Sequence, residues 1–105
     1  MALTRDFKLT VKARVERDAG FRQALLARAA QALLAGETVV GKAMLRDYIN
    51  ATIGFQALGA QIGKTPESLM RMLSTRGNPR TRNLMQIFEV LQAAEGIQLE
   101  VRPVG

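Results

Sequence analysis

A glycine set between two short amphipathic stretches constrains this chain more than any other feature. Leu58 and Ile62 stand four apart, as on one face of a helix over residues 56–62, and Gly63 follows at once. Glycine enters the left-handed backbone region at almost no steric cost, so the helix is expected to end there and the chain to turn. A second helix is predicted directly afterwards. Thr65 can cap it, Pro66 suits its first position, and Glu67 sits at the positive end of its dipole. Leu69, Met72 and Leu73 supply an apolar face, which leaves Glu67, Ser68, Met70 and Arg71 pointing elsewhere. An outward helix edge of that kind can enter a DNA groove.

Composition narrows the remaining choices. With 105 residues, 48% of them hydrophobic, the chain is one domain able to bury a core without staples. It has neither cysteine nor histidine, so disulfides, zinc sites and the usual nucleophilic triads lose their parts. No metal or other cofactor is expected. The nearest carboxylate or phenol groupings, Asp47 beside Tyr48 and Glu95 near Glu100, lack catalytic spacing, and an enzyme is not expected. No apolar run approaches the roughly 20 residues of a membrane span, and Met1 to Arg5 does not lead into a signal-peptide core. A cytoplasmic location is the expectation.

The formal net charge is +6, from 15 Lys and Arg against 9 Asp and Glu. Lys64, Arg71, Arg76, Arg80 and Arg82 gather around the turn motif, opposed only by Glu67. Such a balance favours a polyanionic partner. A second basic group lies before residue 29, and a solvated helix face accounts for it equally well.

Along the chain, Phe7, Val11 and Val15 repeat as on a helix, while Phe7, Leu9, Val11, Ala13 and Val15 alternate as on a strand; helix is preferred. Asp18 is a candidate cap for a helix over 21–35, with Phe21, Leu25, Ala29, Ala32 and Leu33 as its stripe and Gly36 as its stop. A helix over 39–52 is expected to turn Val40, Ala43, Met44, Asp47, Tyr48, Ile49 and Thr52 to one side. Residues 74–79 read as a loop in which Asn78 and Pro79 open the last helix, marked by Leu84, Ile87, Phe88 and Leu91. Ile97, Leu99 and Val101 then alternate with polar residues, a strand pattern closed by Pro103. A lone strand must find a partner, and pairing with a second copy would make a two-fold dimer through these three residues.

In Leu58 to Gly63, Thr65, Leu69, Met72 and Gly77-Asn78-Pro79, the chain resembles the lambda-repressor-like (Cro-type) helix-turn-helix family over about residues 39–94. Phe21 with the Ala/Leu helix, Ser68 to Leu73 and Gly96 to Val101 are more narrowly similar to the addiction-module antidote proteins, the antitoxins of type II toxin–antitoxin pairs. The resemblance implies an all-α, five-helix domain at 39–94, an N-terminal helical extension at 1–38 and a short C-terminal β-strand within 95–105. Gly59 stands where the family usually has Ala, and Pro66 where members often place a hydrogen-bonding side chain.

The family's geometry assigns expected roles. Glu67, Ser68, Met70 and Arg71 would read bases, Arg71 foremost because its fork suits guanine O6 and N7. An ion pair between Arg71 and Glu67, four residues apart, is the competing use. Gln56, Lys64, Thr65, Arg76, Asn78, Arg80, Arg82 and Asn83 would contact phosphates, with backbone N–H groups of helix starts at Gln56 and Asn78 assisting. The expectation is a dimeric repressor of double-stranded DNA with a palindromic operator, acting as an antitoxin. The alternative is a protein-interaction module that neutralises a toxin or another partner, with weak or no specific DNA binding.

Overall fold

The computed structural model describes residues 12–105, and all regular structure among them is helical. The elements are α1 (Ala19–Leu34), α2 (Thr38–Ala51), α3 (Phe55–Ile62), α4 (Pro66–Met72) and α5 (Thr81–Glu95), with residues 12–17 helical as well. Only part of the ambiguous segment at 7–15 falls within the described residues, and there it is helix; its first half lies outside them. No described helix is long and apolar enough to cross a membrane.

Local chemistry accounts for the starts and stops. Asp18 is extended and its Oδ1 accepts a hydrogen bond from Phe21 N at 3.0 Å, which opens α1. Gly63, at φ 72° and ψ 36°, lies in the left-handed region and closes α3. At the end of α5, Gly96 donates to the carbonyls of Gln92 and Ala93.

Helix α1 packs along α2, and α3 packs against both α4 and α5. One core joins all five: Leu26 and Ala29, then Leu45, Tyr48 and Ile49, then Phe55 and Leu58, Leu69 and Leu73, and finally Ile87, Phe88 and Leu91. Full burial of each such leucine or isoleucine stabilises by about 1.5–3 kcal/mol. Four helices fall within 39–94 rather than five; the fifth is α1, whose Leu26 and Ala29 belong to the same core.

Three readings of the sequence are corrected. The buried stripe of α2 runs through Gly41, Lys42, Leu45, Tyr48, Ile49 and Ala51, while Val40 is about half exposed and Asp47 is exposed. Gly41 faces Leu33 of α1 while Lys42 reaches the loop after α4, so the buried side of the helix meets two neighbours at once. Asn78 and Pro79 do not open the last helix, which starts at Thr81 with Arg80 extended before it and no side-chain cap.

The predicted C-terminal β-strand is absent: residues 97–105, Ile97, Leu99 and Val101 among them, carry no regular structure. Ile97 N donates to Gln92 O at 3.1 Å, and Leu99 N donates to the Gln92 side-chain oxygen at 2.7 Å. Ile97 and Leu99 rest partly buried on the core, whereas Val101 is 77% exposed. The alternation therefore lays two apolar side chains back on the chain's own core. Two of the backbone donors of this segment, Ile97 N and Leu99 N, are taken by Gln92 of the last helix.

Candidate nucleic-acid interface

Thr65 takes an extended conformation at the head of α4, and its hydroxyl oxygen accepts from Ser68 N at 3.1 Å. Pro66 fills the first helical position, where no intrahelical N–H is needed. Lys64 N donates to Gly59 O at 3.0 Å and draws the turn back over α3. That return path explains the glycine at 59: a Cβ there would lie 2.3 Å from the Lys64 carbonyl oxygen, which belongs to the backbone and has little room to yield. An alanine Cβ at this position would force the Lys64 backbone to shift.

Leu69 and Leu73 are fully buried and fix which side of α4 faces inward. The opposite side is open. Glu67 and Arg71 are exposed, Met70 is 44% exposed, and Ser68 is half-buried with its backbone N–H committed to Thr65. No ion pair joins Glu67 to Arg71, so the competing use of the arginine is not seen among the described residues.

Around this helix, Thr65 is exposed and Lys64 half-buried at the front, while Gln56 is exposed in the first turn of α3. Arg76, Asn78, Arg80 and Arg82 are exposed behind it, and Asn83 is half-buried in the first turn of α5. Asn78 lies in the loop, so it offers no helix-terminal N–H groups. Ile97 and Leu99 are set apart by their place on the core.

The loop between α4 and α5 is held by residues that sequence reading passed over. Lys42, only 4% exposed, donates from Nζ to Gly77 O at 2.5 Å and to Thr75 O at 3.2 Å. Arg46, one turn further along α2, donates from Nη1 to Leu73 O. A signal was present: Lys42, Leu45 and Ile49 share one helical face, which sets a cation in an apolar stripe.

A second polar cluster lies among α1, α2 and α5. The Glu95 carboxylate accepts from Arg22 Nε at 2.6 Å and from the Tyr48 hydroxyl at 2.6 Å through the same oxygen. Arg22 also donates from Nη1 to Val15 O at 3.0 Å, which ties the 12–17 helix to the bundle. The hydrogen bond from Arg22 holds the Glu95 carboxyl below its ordinary range, against the cost of burial. Burial, aided by the hydrogen bond to Glu95, raises the Tyr48 phenol, and the hydrogen bond to Glu95 raises Arg22. The cluster borders a cavity of about 350 Å³. Its carboxylate is kept ionised and its phenol protonated, so neither is poised to exchange a proton near neutrality.

Comparisons with protein-family models, with curated proteins and with solved structures returned no match for this chain.

Proposed function

We propose that this chain is a sequence-specific DNA-binding transcriptional regulator, reading the major groove with α4 and acting as the antitoxin of a toxin–antitoxin pair. One observation carries the reading: the helix capped by Thr65 buries Leu69 and Leu73 completely and leaves Glu67, Met70 and Arg71 outward, with exposed arginines at 76, 80 and 82 in the stretch of chain that follows it. In this role Arg71 binds a guanine edge, Met70 meets a thymine methyl, and Glu67 accepts from cytosine N4. Lys64, Arg76, Arg80 and Arg82 neutralise phosphates and set the register. Two copies on a palindrome would place their reading helices about 34 Å apart. The antitoxin role and the two-fold arrangement come from the resemblance of the sequence and stand beside the geometric argument.

Selection from random duplex DNA, followed by affinity measurements on the selected site, tests the reading. A shared motif is expected, with Arg71→Ala weakening that site and relaxing its preference at one base. Equal affinity of the wild-type protein for every duplex would overturn it.

A second reading, a module that binds a partner protein, has one observation in its favour. Leu34, Val39 and Val40 are 71%, 51% and 46% exposed around the turn between α1 and α2. Leu34→Ser with Val39→Ser is expected to reduce capture of a co-expressed cognate toxin without altering duplex affinity. Unchanged capture removes that surface from consideration.

A further inference from the structure

Lys42 is a buried cation held by two loop carbonyl oxygens. Its ammonium reaches Thr75 O at 3.2 Å and Gly77 O at 2.5 Å, and Arg46 reaches Leu73 O in the same loop. Among the described residues neither cation forms an ion pair. Taking an ammonium out of water without a carboxylate beside it is costly, and an apolar side chain would fill the same space more cheaply. Packing therefore does not account for lysine at this position. What the two cations supply is donors for three carbonyls between α4 and α5.

That loop has few ties of its own. Gly77 N donates to Ser74 O at 3.0 Å, and Ser74 Oγ donates to Arg71 O at 2.7 Å. At Gly77 it is pressed under the end of α4, where a Cβ would lie 2.2 Å from Arg71 O and 2.3 Å from Met72 O. Leu73 O, at the C-terminal end of α4, carries the negative end of the dipole, so the Arg46 cation is well placed there. Arg76, Asn78 and Arg80 face outward from the same stretch. Positive charge thus lies both beneath the loop and on it, and a polyanion is the complement of that arrangement.

We propose that Lys42 and Arg46 are positioning residues for duplex binding: they hold residues 73–80 in the path that presents Arg76 and Arg80 to the phosphate backbone. The inference rests on the DNA-binding reading for its ligand, but the holding of the loop stands on the geometry alone.

Amide exchange of the free protein tests the holding. In Lys42→Met, exchange at Gly77 is expected to accelerate at least about tenfold while amides of α1 and α5 keep their protection. Unchanged exchange at Gly77 overturns the inference. Should Lys42→Met not fold, Arg46→Met is measured in the same way and judged by Ser74 and Gly77. Duplex binding tests the consequence. Lys42→Met is expected to flatten the dependence of log affinity on log salt by about 1.8 per subunit, the equivalent of two phosphate contacts. In an Arg76→Ala/Arg80→Ala background, the same substitution is expected to change nothing further. Equal losses in both backgrounds overturn the positioning role. A wild-type protein that binds no duplex overturns the proposed function instead, and the exchange measurement still decides whether Lys42 holds the loop.

Discussion

Tyr48 and Glu95, 47 positions apart, share a 2.6 Å hydrogen bond that joins the last turn of α2 to the last residue of α5. Because Arg22 donates to the same carboxylate oxygen, one buried acid links α1, α2 and α5. The acid side chain is 5% exposed and the arginine 22%. At such burial a removed partner leaves an uncompensated group, and the cost of removal exceeds the net worth of the pair.

Glu95→Ala is accordingly expected to lower unfolding free energy by about 3 kcal/mol, since it strands both Arg22 and the Tyr48 hydroxyl. Tyr48→Phe removes one donor from a charged acceptor and should cost about 2 kcal/mol. Urea denaturation followed by circular dichroism measures both. A Glu95→Ala protein as stable as wild type would show that the cluster does not support the fold.

The same carboxylate predicts an acid sensitivity of definite sign. Its folded pKa is depressed below the ordinary value of 4.5, so its stabilisation is complete above that pH. The contribution is lost as the pH falls from there through the lower, folded value. Urea midpoints of wild type and Glu95→Gln should therefore differ most at neutral pH and converge as the medium is acidified below about 4.5. A constant gap across that window would contradict the linkage.

Gly59→Ala should destabilise the protein, although alanine is the better helix former. The gain in propensity is about 1 kcal/mol, while a Cβ placed 2.3 Å from Lys64 O forces a backbone shift costing about 1–3 kcal/mol. A net loss of about 1 kcal/mol is expected in thermal or urea unfolding, with a larger loss of duplex affinity because the turn ahead of α4 is displaced. Net stabilisation would mean that the turn relaxes freely.

Gln92→Leu tests how the tail is secured. It removes the acceptor for Leu99 N, so amide exchange at Leu99 should accelerate by roughly tenfold while the core of α5 stays protected. Dissociation of an oligomer in this variant is not expected, because the tail folds on its own chain. A change in oligomeric state that tracks Gln92 would restore an intermolecular role to residues 97–101.

Arg71→Ala and Arg82→Ala should separate base reading from phosphate contact. The first is expected to lose about 1–3 kcal/mol on the preferred site and little on unrelated duplexes. The second is expected to weaken all duplexes alike and to flatten the salt dependence by about 0.9 per subunit. Titrations of both proteins against the selected site and a scrambled one decide the matter; the same pattern for both would leave Arg71 as a phosphate contact.

Much of the α3–turn–α4 segment was legible because its signals act over a few residues. Gly63 turns left-handed, Thr65 caps Ser68 N, and Leu69 and Leu73 face inward as their spacing requires. Reading was weaker where one helix meets two neighbours. On α2, Val40 and Asp47 were read as inward, yet Lys42 and Leu45 are buried there, and the face that Lys42 shares with Leu45 and Ile49 was the signal passed over. Asn78 and Pro79 have the composition of a helix start, yet α5 begins at Thr81 after an extended Arg80. Ile97 and Leu99 alternate as strand residues do, but a helix side chain reached their backbone first.

The sequence by itself determined where the chain turns and where most helices begin. Those outcomes depend on a residue's own backbone freedom and on hydrogen bonds three or four positions away. Tertiary structure alone decided which charges are buried, which loop is held and where the tail rests. Arg22 meets Glu95 across 73 positions, Tyr48 meets Glu95 across 47, and Lys42 meets the loop carbonyls across 33 and 35. A group so far along the chain becomes a partner only when packing has brought the helices together, and burial then gives that contact its energetic weight.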